Sequence, residues 1–219
     1  MGHPQALQIA IDGPAGAGKS TVARKLADHL GYLYIDTGAM YRASTWLALK
    51  HDIPLTDGDA IAALASNSNI QLKPADESSD GKIRVFVDGQ EITREIRTQR
   101  MSELTAGIAA LGKVRAVLVE KQRELAREGF CVIDGRDIGT VVMPDAGLKV
   151  FLTASPEERA RRRQKELAAQ GETPDFEALL KAINERDYLD CNRAVSPLMQ
   201  AVDAIELITD NMTIDDVVL

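Results

Sequence analysis

Two cysteines in 219 residues, Cys131 and Cys191, are too few for a multi-bridge secreted scaffold. With only three histidines beside them, no His/Cys metal cluster can be assembled. Long apolar runs are missing as well. Runs such as residues 130–133 (FCVI) are only a few residues long, far short of the roughly 18 that span a bilayer. The start, Met-Gly-His-Pro-Gln-Ala, lacks a basic stretch followed by an apolar one, and Ala6 stands where a myristoylation pattern wants Ser or Thr. A glycine-framed serine elbow is lacking too, so acyl transfer has no nucleophile candidate. Basic charge is in deficit: 26 Lys and Arg against 33 Asp and Glu leave −7, which disfavours a broad nucleic-acid-coating face. No internal repeat or low-complexity tract interrupts the chain. These absences lead to the expectation of a cytoplasmic protein, with Cys131 a small buried hydrophobe.

What is present is ordinary globular composition, 45% apolar and 27% charged, in one generous domain or one domain with an insert. Short apolar runs at 7–12, 130–134 and 148–152 read as buried strands, and 33–36 and 204–208 as two further strands. Helical spacing fills 19–30, 40–50, 57–66, 95–110, 113–127, 156–170 and 175–190, and 214–219 begins a last helix. Between them, 70–73, 83–87 and 91–93 read as short strands separated by a polar turn at 76–81 and by Asp88-Gly89, a pair that favours tight antiparallel turns. The pattern predicts an α/β fold with a parallel-sheet core, helices on both faces and a small β-rich insert at 67–98.

Gly13-Pro14-Ala15-Gly16-Ala17-Gly18-Lys19-Ser20 matches G-x-x-x-x-G-K-[ST] at every fixed position. It lies between an expected strand and an expected helix, the setting that a phosphate loop requires. Its backbone N–H groups can converge on phosphate oxygens at the positive end of the helix, with Lys19 as a point charge and Ser20 placed to hold Mg²⁺. Three further clusters bear on an acceptor. Residues 36–42 (DTGAMYR) follow the second strand, so Thr37 and Arg42 should face the ligand crevice, with Thr37 also available as a helix cap. Asp134 ends a buried strand as a second Mg²⁺ ligand would, and Arg136 and Asp137 stand beside it. Arg159, Arg161, Arg162 and Arg163, then Arg186, Asp190 and Arg193, crowd two late helices. The first group taken alone reads as a solvated face, whereas a closing lid would need such cations.

In IDGPAGAGKST (11–21), DTGAMYR (36–42), TREIRT (93–98), VR (114–115), DGRDIGTVV (134–142) and ERDYLDCNRAVSPL (185–198), the chain resembles the bacterial cytidylate kinases over essentially its whole length. The resemblance implies transfer of the γ-phosphoryl group of ATP to CMP or dCMP, with Mg²⁺ as cofactor. It implies a single kinase domain, with 67–98 as the monophosphate-binding insert and about 156–175 as the lid. Residues Gly13 to Thr21 would then hold ATP phosphates. Thr37, Arg42, Arg115, Arg136 and Asp137 would line the CMP site, and Arg186, Asp190 and Arg193 would reach the acceptor and its sugar. Arg162 and Arg163 would belong to the lid; Lys19, Arg136, Arg162 and Arg186 are the catalytic candidates. Neither nucleic acid nor membrane is expected as a partner, and a monomer is expected. Two departures stand out: Ala106, beside Thr105, occupies a position where relatives commonly carry Ser, and the last helix is shorter than the family's. The nearest rivals are a UMP or AMP kinase, a small-alcohol or dephospho-coenzyme kinase, and a nucleotide-gated switch, whose Asn/Thr-Lys-x-Asp segment is lacking. Replacing Lys19 by Ala should leave the thermal melt nearly unchanged and cut ADP release by orders of magnitude. Near-normal turnover in that variant would remove the phosphate-loop assignment.

Overall fold

In the computed structural model, residues 7–76, 79, 81–169 and 171–218 are described. The reading of residues 1–6, parts of the 76–81 turn, Gln170 and Leu219 lie outside them. The chain divides into two compact units, residues 1–33 with 129–219 and residues 34–128.

In the first unit, the apolar strands Gln8–Asp12 and Cys131–Asp134 are buried on both faces, as the middle of a parallel sheet demands, whereas the edge strand Ile205–Ile208 is largely exposed. Strand β1 (Gln8–Asp12) is central. Strands β6 (Cys131–Asp134), β7 (Leu148–Thr153) and β8 (Ile205–Ile208) of this unit, with β2 (Leu33–Asp36), which runs from Leu33 of this unit into the second unit, complete the order β2-β6-β1-β7-β8. The pairings of β1 with β6 and β7, and of β7 with β8, are parallel. Ile11 lies opposite both Asp134 and Val150, so β1, β6 and β7 release their following loops at one edge. Helix α1 (Lys19–Leu30) buries Val22, Ala23 and Ala27 and stops at Gly31, whose φ of 68° lets its N–H return to Asp28. Helices α6 (Pro156–Ala169) and α7 (Phe176–Asn192) pack on one another, and the short α8 (Ile214–Val218) packs on α1. Cys131 is fully buried, and burial pushes its thiol up to about 11, as expected of a small hydrophobe.

The second unit holds α2 (Thr37–Lys50), α3 (Gly58–Asn67), a short 3₁₀ turn (Glu95–Arg97), α4 (Gln99–Ile108) and α5 (Gly112–Leu125). It also carries an antiparallel sheet β3-β4-β5 from Ile70–Lys73, Arg84–Val87 and Gln90–Glu91. Asp88 and Gly89, at φ 50° and 83°, make the tight turn foreseen there. Two expectations need correction. Helix α2 begins at Thr37, not residue 40, and its cap is Asp36, which accepts from the Ala39 N–H at 2.8 Å; Thr37 is the first helical residue and not the cap. The helix expected over 95–110 is broken at Thr98. That residue takes an extended conformation (ψ 155°) and caps α4 by accepting from Met101 N–H. Among the described residues no helix is long and apolar enough to cross a membrane.

Asp12 couples strand to loop. Its carboxylate accepts from the N–H groups of Ile138 and Gly139, both at 2.7 Å, and so pins the single wide helical turn Ile138–Val142 that follows β6. Burial drives its pKa up from 3.8 to about 6, against the pull of those two N–H groups and with added repulsion from Asp137. Between pH 3.8 and about 6 the folded chain keeps a proton that the unfolded chain has released, so this group's contribution to stability falls as pH rises through that window. The stability advantage of the wild type over Asp12→Asn should therefore shrink by about 2–3 kcal/mol between pH 4 and 7 in denaturant melts. A constant difference would refute the buried, proton-holding carboxylate.

Candidate active site

At the end of β1 the chain turns sharply at Gly13, whose φ of 144° and contact with the Leu152 carbonyl leave no room for a Cβ. Gly18 opens α1 without a side-chain cap, leaving the first N–H groups of the helix for a ligand. Lys19 is buried and folds back over the loop to donate to the Pro14 carbonyl at 2.7 Å. Its ammonium is held well below its ordinary pKa, first by burial and then by the like charge of Arg136; Asp134, Asp12 and Asp190 oppose that shift. One residue on, the Ser20 hydroxyl donates to Asp134 at 2.8 Å, joining the loop to the end of β6. A hydroxyl and a carboxylate at that separation suit a hard cation whose remaining ligands are water and phosphate oxygens. Among the described residues no group of three His, Cys, Asp or Glu side chains gathers to hold a metal alone, so the fit requires such outside oxygens.

The late arginines divide by what they touch. Arg136 and Arg186 both donate to Oδ2 of Asp190, at 2.9 and 3.4 Å, and Arg193 lies 3.6 Å from Asp137. Burial opposes the charge of Asp190, yet Arg136, Arg186 and Arg193 hold its carboxyl below the usual range. Three guanidiniums thus face two carboxylates, and Lys19 lies in the same field with Asp134 and Asp12: several cations at one place, the kind of donor that polyphosphate takes. Arg162 donates to the Thr209 carbonyl at 2.6 Å, to Thr209 Oγ1 at 3.1 Å and to Glu158 at 3.1 Å, while Arg163 pairs with Glu166.

In the other unit, Asp36 uses one carboxylate oxygen to cap α2 and the other to accept from Arg42 at 3.1 Å. Gly38 permits that close approach, because a Cβ there would meet Arg42 at 3.0 Å. Thr37 is buried at the helix start, and Arg115 lies 5.6 Å from the Tyr41 ring centre while donating to the Ala109 carbonyl at 3.1 Å. The Thr105 hydroxyl is engaged internally, with Thr45 at 2.9 Å and the Met101 carbonyl at 2.7 Å, so it does not stand free beside Ala106.

Against this geometry, a cytidylate kinase family description fits residues 9–219. The chain belongs to that family. A cytidylate kinase of Desulforamulus reducens is 54% identical over 210 residues, spanning 96% of this chain and 92% of its own. One from Exiguobacterium sp. is 50% identical over 214 residues, spanning 98% and 94%. A bifunctional pantoate ligase/cytidylate kinase of Trichormus variabilis is 51% identical over 210 residues, which are 95% of this chain but 39% of that protein. A solved structure of an uncharacterized protein from Eubacterium ventriosum aligns over 97% of this chain and 93% of its own, at 12% identity and a TM-score of 0.51, a likeness of fold alone.

Sequence reasoning about this cytidylate kinase family member missed Asp12 and misplaced Arg159. Arg159 was assigned to a solvated face, but its side chain is buried. It donates to the Ala15 carbonyl of the phosphate loop at 3.0 Å, to Ala154 at 3.0 Å, and in a two-pronged grip to Asp187 at 3.1 and 2.6 Å. Asp187, 28 residues away, gives no signal in spacing. For Asp12 there was one: a carboxylate closing a fully buried strand directly before the loop. Arg159→Ala should cost about 2–4 kcal/mol, since it strands a partly buried carboxylate. A double variant with Asp187→Asn should cost clearly less than the sum of the singles in urea melts. Additive costs would show that the pair is not a unit.

Proposed function

We propose that this chain transfers the γ-phosphoryl group of ATP to the phosphate of CMP or dCMP, giving ADP and CDP or dCDP. One observation carries the reading: the buried Lys19 of the phosphate loop shares one electrostatic neighbourhood with Arg136 and Asp190, so a donor grip and an acceptor grip stand together. The names of the relatives support the choice of base.

The acceptor is itself a phosphate and arrives ionised, so no general base is required. Catalysis then rests on alignment and on cations spread over the transferring group. Backbone N–H groups from Gly13 to Thr21 take the ATP phosphates, and Lys19 leaves the Pro14 carbonyl for them. Ser20 and Asp134 would hold Mg²⁺, which supplies charge neutralisation across the phosphates when bound. Arg136, Arg186 and Arg193 grip the acceptor phosphate and sugar, Asp190 orients two of those guanidiniums, and Asp137 lies toward the base. Residues 34–128 contribute Thr37, Arg42 and Arg115, with 67–98 as the monophosphate-binding insert. The segment 156–175 acts as the lid, with Arg162 exchanging its hold on Thr209 for phosphate oxygens as it closes.

Measuring ADP release with ATP and each of CMP, dCMP, UMP and AMP decides the acceptor. Cytosine monophosphates should be consumed fastest, and preference for a different acceptor would overturn the reading. In the same assay Arg136→Ala should raise the KM for CMP roughly 10- to 100-fold while changing that for ATP by less than about twofold. Equal losses for both would count against the division of sites.

A further inference from the structure

Asp187 belongs to the segment 185–198 that carries Arg186, Asp190 and Arg193, yet the proposed mechanism gives it no task. It receives the two-pronged grip of Arg159, whose side chain is only 3% exposed. Every nitrogen of that guanidinium is engaged. Nε donates to the Ala154 carbonyl at 3.0 Å, Nη1 to the Ala15 carbonyl at 3.0 Å and to Asp187 at 3.1 Å, and Nη2 to Asp187 at 2.6 Å. The stem lies against the phosphate loop as well, since a Cβ on Gly16 would meet Arg159 Cβ at 3.4 Å, with Cγ and Cδ next. An arginine so buried and so engaged has nothing left for a phosphate. It can act on the reaction only through the loop it touches.

The carbonyl it holds decides where the next amide points. A trans peptide is planar, with its C=O and N–H directed oppositely, and among the described residues no peptide bond is cis. With the Ala15 carbonyl drawn to Arg159, the Gly16 N–H is turned away from α6, and it donates to no backbone carbonyl among the described residues. Gly16 sits at φ 76°, and glycine tolerates φ of either sign, so a flip of this peptide plane meets little steric resistance. The flip would set a carbonyl oxygen where the amide now stands, and that oxygen would repel phosphate. Packed apolar residues in place of a buried ion pair often cost no stability, but they could not hold the carbonyl. One turn further along α6, Arg162 reaches the Ala17 carbonyl at 3.4 Å, next to Gly18 at φ 93°. The same helix thus holds two alternate carbonyls of the loop.

We propose that Arg159, oriented by Asp187, is a positioning residue for the phosphate donor: by holding the Ala15 carbonyl it keeps the Gly16 N–H turned toward the ATP phosphates. The inference rests on the reading of Gly13 to Thr21 as the ATP grip. It assigns the pair to the donor alone, although Asp187 is next in sequence to Arg186, which bonds Asp190 of the acceptor set. An amide fixed in advance needs no reorganisation when the phosphate arrives, and a planar fork tied at two prongs by Asp187 is what fixes it.

Three variants test it: Arg159→Met, which keeps a stem against Gly16 but holds no carbonyl, Arg159→Lys, which keeps the charge without the fork, and Asp187→Asn, which leaves the arginine without its carboxylate. Lys19→Ala is the reference. Assayed well below its melting temperature, Arg159→Met should raise the KM for ATP roughly 10- to 100-fold, with the KM for CMP within about twofold. Its preference for binding ATP over adenosine, measured by calorimetry, should fall by a similar factor, which a merely structural brace would leave unmoved. Arg159→Lys and Asp187→Asn should each raise the KM for ATP by less, about three- to tenfold, and they carry the test should Arg159→Met not fold. A wild-type KM for ATP in these variants, or an equal rise for both substrates, would overturn the proposal. If Lys19→Ala loses the preference for ATP over adenosine while the Arg159 variants keep it, this inference alone falls; if Lys19→Ala keeps it, the reading of the loop beneath it falls too.

Discussion

Parallel pairing of β1 with β6, with Ile11 opposite Asp134, is the constraint on which the rest depends. Register fixes where each strand ends, and a strand's end fixes where its loop begins. From this one alignment follow the 2.8 Å bond between Ser20 and Asp134 and the bond from Gly135 N–H to the Ile11 carbonyl. Because side chains alternate along a strand, a slip of one residue would turn Asp134 to the opposite face and dissolve that bond. Asp12 reinforces the alignment from the other side by holding the wide turn after β6 with two short hydrogen bonds.

Charge is the second organising theme. An acidic protein has gathered its useful cations where burial makes each one costly, and it sets carboxylates beside them. Asp190 restrains Arg136 and Arg186, Asp187 restrains Arg159, and Asp36 restrains Arg42. Removing one member of such a set leaves the other exposed to the full penalty of its burial. Of the three, the Asp190 set leaves positive charge over, two guanidiniums against one carboxylate, which suits it to take phosphate.

Arg159 shows how a structural role can sit inside a functional segment. It lies among arginines expected to be solvated, yet one guanidinium joins the phosphate loop, the end of β7 and helix α7. Neighbouring Arg162 is fastened differently, to the Thr209 carbonyl and hydroxyl on the strand β8 side. Similar residues one turn apart thus do unlike things, because the helix face decides which of them meets the sheet.

Local chemistry wrote much of this protein into its sequence. Glycine and lysine spacing announced the phosphate loop, apolar runs announced the strands, and Asp88-Gly89 announced its turn, because each depends on residues only a few positions apart. Helix beginnings were less legible: whether Asp36 or Thr37 caps α2, or whether Thr98 breaks a helix, turns on backbone angles that several residues tolerate equally. What no linear pattern carried was pairing across long separations, such as Arg159 with Asp187 or Asp12 with Gly139. Those partners are chosen by strand register and helix packing, and a side chain's value as ligand, brace or surface charge is settled only when the folded chain determines what lies beside it.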